Sequence, residues 1–270
     1  MESRPNAAAS GPSYTSYLRL GDLLDCQSPL SDTHDEMLFI VIHHASELWM
    51  TLCLHELSAT RSAIASDRLD AAFKMMARVA RIQQQLIQSW EVLATITPAD
   101  YSAMRAKLGG SSGFQSHQYR AMEFLLGNKN PAMVAMFDDA PAFQTALRDA
   151  LARPSIYDEA LRALARHGLP VPADRLERDF THPYAASPAV EACWRTVYAE
   201  PERYWDLYEL AEKLVDLEYR FQLWRFGHLK TVERVIGFKR GTGGTAGVPY
   251  LARVIDQVFF PELLTVRAVL

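Results

Sequence analysis

Between Ser66 and Ala94 the apolar residues Leu69, Phe73, Met76, Val79, Ile82, Leu86 and Trp90 recur every three or four positions. That is the period of one face of an α-helix and not of a strand, and it is sustained for about eight turns. The stretch before it, "HDEMLFIVIHHASELWMTLCLHEL", is denser in apolar side chains; a Thr33–Glu36 capping-box pattern opens it and predicts helix from Asp35 to Ala63. A third periodic stretch, Glu202 to Ile236, interleaves Glu, Lys and Arg with Leu, Tyr, Phe and Trp and stops at Gly237. No segment alternates between hairpin turns and no βαβ pattern appears, so the expected fold is all-α. The sequence predicts a single-domain bundle of long helices over residues 14–270. The arm over residues 1–13 is small, polar and Pro- or Gly-bearing, a composition that does not offset the entropy of ordering and predicts a flexible segment.

Shorter elements fill the intervals. "TPADYSAMRAKLGG" offers Thr97 as N-cap, Pro98 at the first helical position and glycines past the end. "GFQSHQYRAMEFLLG" reads as another helix, ended by Gly127. From Ala142 to Gly168 two short amphipathic helices broken at Pro154 suggest a small peripheral insertion, and the loop "GTGGTAG" leads to a last helix near Val248 to Val258.

With 49% apolar and 22% charged residues, 270 residues can build a sizeable core. The net charge of −4 disfavours nucleic acid as a partner, since phosphate binding needs a basic face. Three dispersed cysteines, Cys26, Cys53 and Cys193, without C-x-x-C spacing, indicate neither a disulfide framework nor a zinc–thiolate site and suit a reducing cytoplasm. The amino terminus has no apolar signal core, and no run of about 20 consecutive apolar residues follows. A membrane-spanning chain is therefore not expected.

Four places could carry chemistry. His43 shares a helix face with Phe39, Ile40 and Glu47, so its imidazole looks into an apolar pocket or is a core histidine bonded to a backbone carbonyl. His228 lies in a stripe of Phe221, Trp224, Thr231, Val232 and Val235, with Gly227 clearing space beside it. That face could supply an axial imidazole and a slot for a large flat macrocycle, or simply be an aromatic seam. Tyr101 and Arg105, four positions apart, can converge on one small carboxylate or stand as a solvated pair. The glycine loop lacks a preceding strand and a P-loop lysine, which leaves a lid or clamp with Thr242 as a small hydroxyl, or a plain connection.

Six collinear strings, "YTSYLRLGDLL", "HDEMLFIVIHHASELWM", "TPADYSAMR", "SSGFQSHQYRAMEFLLGNKN", "FGHLKTVERVIG" and "KRGTGGTAGVPYL", resemble the tryptophan 2,3-dioxygenase family over most of the chain. The resemblance implies a cytoplasmic all-α homotetramer with haem b buried between helices, one per subunit. Its reaction opens the indole ring of L-tryptophan with O₂ to give N-formyl-L-kynurenine. It implies that His228 is the proximal iron ligand and that His43 stands on the distal side near the indole nitrogen, with Phe39, Ile40, Val41 and Ile42 beside the substrate. Tyr101 and Arg105 would bind the carboxylate, Thr242 would meet the ammonium group, and Ser112 would lie close to haem and substrate. Tyr14 corresponds to a tyrosine that reaches the active site of a neighbouring subunit. Two departures stand out: His44 occupies a position where glutamine is expected, and Gly227 replaces a larger residue, a change expected to loosen packing beside the proximal histidine.

Overall fold

In the computed structural model, which describes residues 11–270, the described residues form thirteen α-helices, a few 3₁₀ turns and no strand. The all-α expectation holds. The first ten residues of the expected arm lie outside the described residues. Two short helices, α1 (Tyr14–Tyr17) and α2 (Leu20–Leu24), precede the long α3 (Asp35–Ala65) and α4 (Leu69–Leu93). Then come α5 (Pro98–Leu108), α6 (His117–Leu126), α7 (Pro141–Ala152), α8 (Ile156–Arg166), α9 (Ala173–Leu176) and α10 (Pro188–Ala199). The long α11 (Trp205–Ile236) is followed by α12 (Val248–Ile255) and α13 (Pro261–Thr265).

The order of packing positions the site. Helices α3 and α4 form a hairpin through a tight reversal in which Asp67 takes a left-handed φ of 58° and the Arg68 amide bonds the Ala63 carbonyl at 2.9 Å. Helix α4 packs along α3 on one side and α11 on the other. Its apolar stripe, with Met76, Val79, Ile82 and Leu86 buried, thus serves both neighbours, and the Gln83 amide donates to the Leu217 carbonyl of α11 at 3.1 Å. The amino-terminal half of α3, the end of α4 and the carboxyl-terminal part of α11 line one cavity.

Local chemistry departs from the sequence reading at the start of α3. Glu36 does not close a capping box with Thr33. Its buried carboxylate accepts from the Leu30 amide at 2.7 Å, the Ser31 amide at 2.8 Å and the Ser31 hydroxyl, and these bonds, led by that from Leu30, hold it below the usual carboxylate range. Glu36 therefore ties the incoming loop to the helix. Residues 113–126 are also two elements and not one: a 3₁₀ turn over Gly113–Gln115 and then α6, whose N-cap Ser116 accepts from the Tyr119 amide.

The segment expected to be a peripheral insertion is part of the core. The two helices fall where the sequence places them, on either side of Pro154, but α8 buries Ile156, Tyr157, Ala160, Leu161, Ala163 and Leu164 and packs against α3. Its charged residues misled because they are used inward. Asp158 accepts from the Ser155 N-cap and from Arg178 at 2.7 Å, and the buried Lys129 donates to the Ala150, Leu151 and Arg153 carbonyls that end α7. Helix α10, absent from the elements expected above, buries Trp194, whose indole donates to the Tyr157 hydroxyl at 3.1 Å. Tyr157 in turn donates to Glu262 of α13 at 2.8 Å.

Candidate active site

The space between α3 and α11 is a cavity with about 1550 Å³ free of protein atoms, counting its open mouth. Helix α3 contributes Phe39, Ile42, His43, Ser46, Glu47 and Met50; α4 contributes Trp90 and Leu93; α11 contributes Trp224, Arg225, His228, Thr231, Val232 and Val235. The α3 positions follow i, i+3, i+4, i+7, one helical face. Ile40 and Val41 are rotated off it and do not line the cavity, and Val41 is exposed. The remaining wall comes from Tyr101 of α5, the Ser111–Phe114 turn, Tyr119 and Arg120 of α6, the loop Gly241–Gly247, and Tyr250, Leu251 and Val254 of α12.

His43 combines the two roles its spacing allowed. Its Nδ1 lies 2.7 Å from the Phe39 carbonyl, an acceptor only, so Nδ1 carries the proton and Nε2 keeps its lone pair. Burial lowers its pKa, more than the Phe39 bond and Glu47 raise it, and the ring is neutral near pH 7. Phe39 packs on it with ring centroids 4.2 Å apart. His44 turns away from the cavity; its Nδ1 stands 3.8 Å from Cys26 Sγ and 3.4 Å from Gln27 Nε2. Of the adjacent imidazoles only His43 lines the cavity.

Across the cavity His228 makes no hydrogen bond with any described residue, and burial pushes its pKa down to about 4, so it too is neutral. Its ring lies flat on Trp90, centroids 4.7 Å apart and planes 8° from parallel. Gly227 does not loosen this wall. A Cβ there would stand 2.7 Å from Trp90 Cδ1, because the indole occupies the room that the missing side chain leaves.

The loop wall is closed by backbone contacts. Thr242 Oγ1 donates to the Ser111 carbonyl at 2.6 Å, and Gly243 approaches so closely that a Cβ would lie 2.7 Å from Ser112 Cβ. Gly247, at φ +69°, sets the exit of the loop against the Lys239 carbonyl. Ser112 lines the cavity while its hydroxyl caps the following turn by accepting from the Phe114 amide. Burial raises the Tyr101 pKa, and Arg105 and the Thr242 hydroxyl act against that; the phenol stays protonated. Arg105 does not line the cavity. Its Nη2 donates to the Arg240 carbonyl at 2.5 Å, where the glycine loop begins. Tyr14 is 75% exposed on α1, outside the cavity of its own chain.

A model of the tryptophan 2,3-dioxygenase family matches residues 2–154 and 195–270. The chain belongs to the tryptophan 2,3-dioxygenase family. A tryptophan 2,3-dioxygenase of Erythrobacter litoralis is 62% identical over 259 residues, spanning 96% of this chain and 98% of that one. Those of Polaromonas sp. and Bordetella pertussis are each 58% identical over 255 residues, spanning 94% of this chain and 87% and 90% of theirs. The stretch that the family match leaves out, 155–194, holds α8, α9 and the start of α10, so the core of this dioxygenase includes helices outside that match.

Tryptophan 2,3-dioxygenases are haem-dependent, and the cavity fits that group. The neutral His228 makes no hydrogen bond with any described residue, which leaves a ring nitrogen free for iron. On the same wall, Arg120 and Arg225 share one carboxylate, Glu123, at 2.6 and 2.9 Å. All three are buried, and Arg120 Nε is buried without a partner among the described residues. A macrocycle with acidic side chains would give that nitrogen an acceptor. Trp224 already stood in the His228 stripe, but Arg120, Arg225 and Trp90 were not legible as site residues. The i,i+3 spacing of Arg120 and Glu123 was available, but nothing in the sequence brings Arg225 to the same carboxylate.

Proposed function

We propose that this cavity runs the reaction of its family, the oxidation of L-tryptophan by O₂ to N-formyl-L-kynurenine, with one haem b per subunit. The observation that carries the reading is the pair of neutral imidazoles across one largely apolar cavity, His43 with a free Nε2 and His228 without a hydrogen bond to any described residue. Bound haem supplies the activation of O₂ and the redox chemistry, which no protein side chain offers. His228 holds the iron. His43 accepts the indole N–H at Nε2, since its Nδ1 proton is committed to Phe39. Phe39 and Ile42 press on the indole ring and keep water out. The protonated Tyr101 donates to the substrate carboxylate, and Arg105, which lies outside the cavity lining with one N–H on Arg240, joins it by turning its other N–H groups inward. Thr242 stands at the closed loop to meet the ammonium end, and Ser112 stands beside it close to haem and substrate. Holding two reactants in contact is worth several kcal/mol of barrier, on the order of 7–11 for well-oriented pairs.

The oligomer belongs to the same proposal. Met37, Val41, Leu48 and Leu52 form an exposed apolar stripe on α3, and Tyr219, Leu223 and Phe226 another on α11. Helix α3 is long and apolar enough to cross a membrane by length and composition, but its polar and titratable face lines the cavity. We read its outer stripe as contact between subunits of a homotetramer, with Tyr14 directed to a neighbour's site. The free cysteines Cys26, Cys53 and Cys193 suit a cytoplasmic enzyme. The test is the reduced, haem-loaded protein given L-tryptophan in air. Growth of N-formylkynurenine absorbance is expected, and a haem-replete protein that yields no product under those conditions overturns the reading.

A further inference from the structure

We propose that Trp90 is the positioning residue for His228, and that Gly227 exists in this chain to admit it. The inference rests on the reading of His228 as the iron ligand. Three observations meet at one place. The imidazole of His228 has no hydrogen bond to any described residue to fix its rotation, yet it lies within 8° of parallel to the Trp90 indole at 4.7 Å. The indole is held on its other edge by the backbone of α11, where a Cβ at residue 227 would come to 2.7 Å from Cδ1 and 3.3 Å from Cγ. Trp90 Nε1 is buried and unpartnered, so the indole carries a desolvated donor that a phenyl ring would not.

Metal-ligating histidines ordinarily have their ring plane set by a hydrogen bond from the second nitrogen to a carboxylate or carbonyl. No described residue supplies that acceptor here. A flat aromatic surface can do the same geometric work, because rotating the imidazole about χ2 drives its edge into the indole. The indole adds an electronic effect. Its electron-rich face stabilises positive charge on a stacked ring, and an imidazole bound to ferric iron carries more positive charge than one bound to ferrous iron. Trp90 therefore favours the ferric state and holds the reduction potential down.

The three residues form one unit. Trp90 is large because the imidazole needs a plane, and residue 227 is small because the indole passes over it. Enlarging residue 227 displaces the indole, and reducing residue 90 relieves that clash.

The experiment uses the haem-loaded enzyme, read by the iron–histidine stretching band of the ferrous form, the reduction potential and the rate of haem transfer to an acceptor protein. For Trp90→Leu the band is expected to broaden and shift, the potential to rise, and haem loss to quicken by about 10–100-fold, the usual cost of removing a ligand's outer support. Trp90→Phe keeps a flat ring and should hold the band position. Gly227→Ala should reproduce the Trp90→Leu signature, and the double variant Gly227→Ala/Trp90→Phe should restore it toward wild type. Unchanged band and potential in both Trp90→Leu and Gly227→Ala overturn the proposal. A wild-type band that survives His228→Gly overturns instead the ligand reading beneath it, so the two failures are distinguishable.

Discussion

On the helical side of the cavity, His43 and His228 stand within α3 and α11, helices of 31 and 32 residues whose inner faces are buried in the same core as α4. On the opposite side, Tyr101 sits on an 11-residue helix, and Ser112 and Thr242 sit on turns joined by one side-chain hydrogen bond and one glycine contact. The first wall can move only if the bundle moves. The second can open by losing a few exposed contacts, which places it at the low-stability end of the structure. In the proposed function, the groups whose position must not vary are on the rigid wall, and those proposed to close around the substrate are on the other. The walls should therefore fail differently when they are altered.

The helical wall should fail completely. Replacing His228 by alanine removes the one cavity imidazole that makes no hydrogen bond with a described residue, and the variant is expected to purify folded but without stably bound haem. Haem per protein chain and the far-ultraviolet helix signal, measured together, check it. A haem-replete and active His228→Ala protein would break the comparison at its foundation.

The loop wall should fail by degrees. Arg105→Leu removes both the bond to the Arg240 carbonyl and the donors proposed for the carboxylate, while leaving α3 and α11 untouched. Haem content should stay at the wild-type level and kcat/KM should fall by about 10²-fold, the scale of loss when a bound group is misplaced by an ångström. Wild-type kinetics would take the guanidinium out of substrate recognition. Gly243→Ala is milder. Its added Cβ meets Ser112 Cβ at 2.7 Å, so the loop must undock to accommodate it. KM for tryptophan is expected to rise by about tenfold, roughly 1.4 kcal/mol, with kcat less affected. Equal changes in haem affinity and KM would mean that the two walls are mechanically one.

The same contrast explains what could be read in the sequence. The long helices were legible because each presents one apolar face for many turns, and His43 and His228 sit on those faces. Tyr101 was legible as a candidate because Thr97 and Pro98 announce its helix. Arg105 follows the same spacing, but the spacing hid that its guanidinium reaches Arg240, a contact across 135 positions of chain. The inward use of charge was hidden for the same reason. Asp158, Lys129 and Glu123 look like surface residues until Arg178, the α7 carbonyls and Arg225 are brought to them. Periodicity reports which face of a helix is apolar. It does not report which polar residue will find a buried partner.

The smallest effect expected is the dependence on pH, and it should again differ between the walls. In the proposed reaction His43 accepts at Nε2, and protonation would convert that nitrogen to a donor facing another donor, the indole N–H. Because burial lowers its pKa below the ordinary 6.5, the neutral form persists into more acid solution, and kcat/KM should stay level from pH 8 through 6.5 and decline only below that. The unfolded chain takes up this proton near 6.5 while the folded one resists it. Stability is thus lost in the same acid window, and denaturation midpoints should fall as pH drops through it. On the loop wall, burial raises the Tyr101 pKa above 10, so its donor survives throughout the neutral and mildly alkaline range. A profile of kcat/KM for wild type and His43→Gln checks both statements. The acid limb should vanish in the variant while the alkaline side is unchanged, and an acid limb that remains would assign it to a group other than His43.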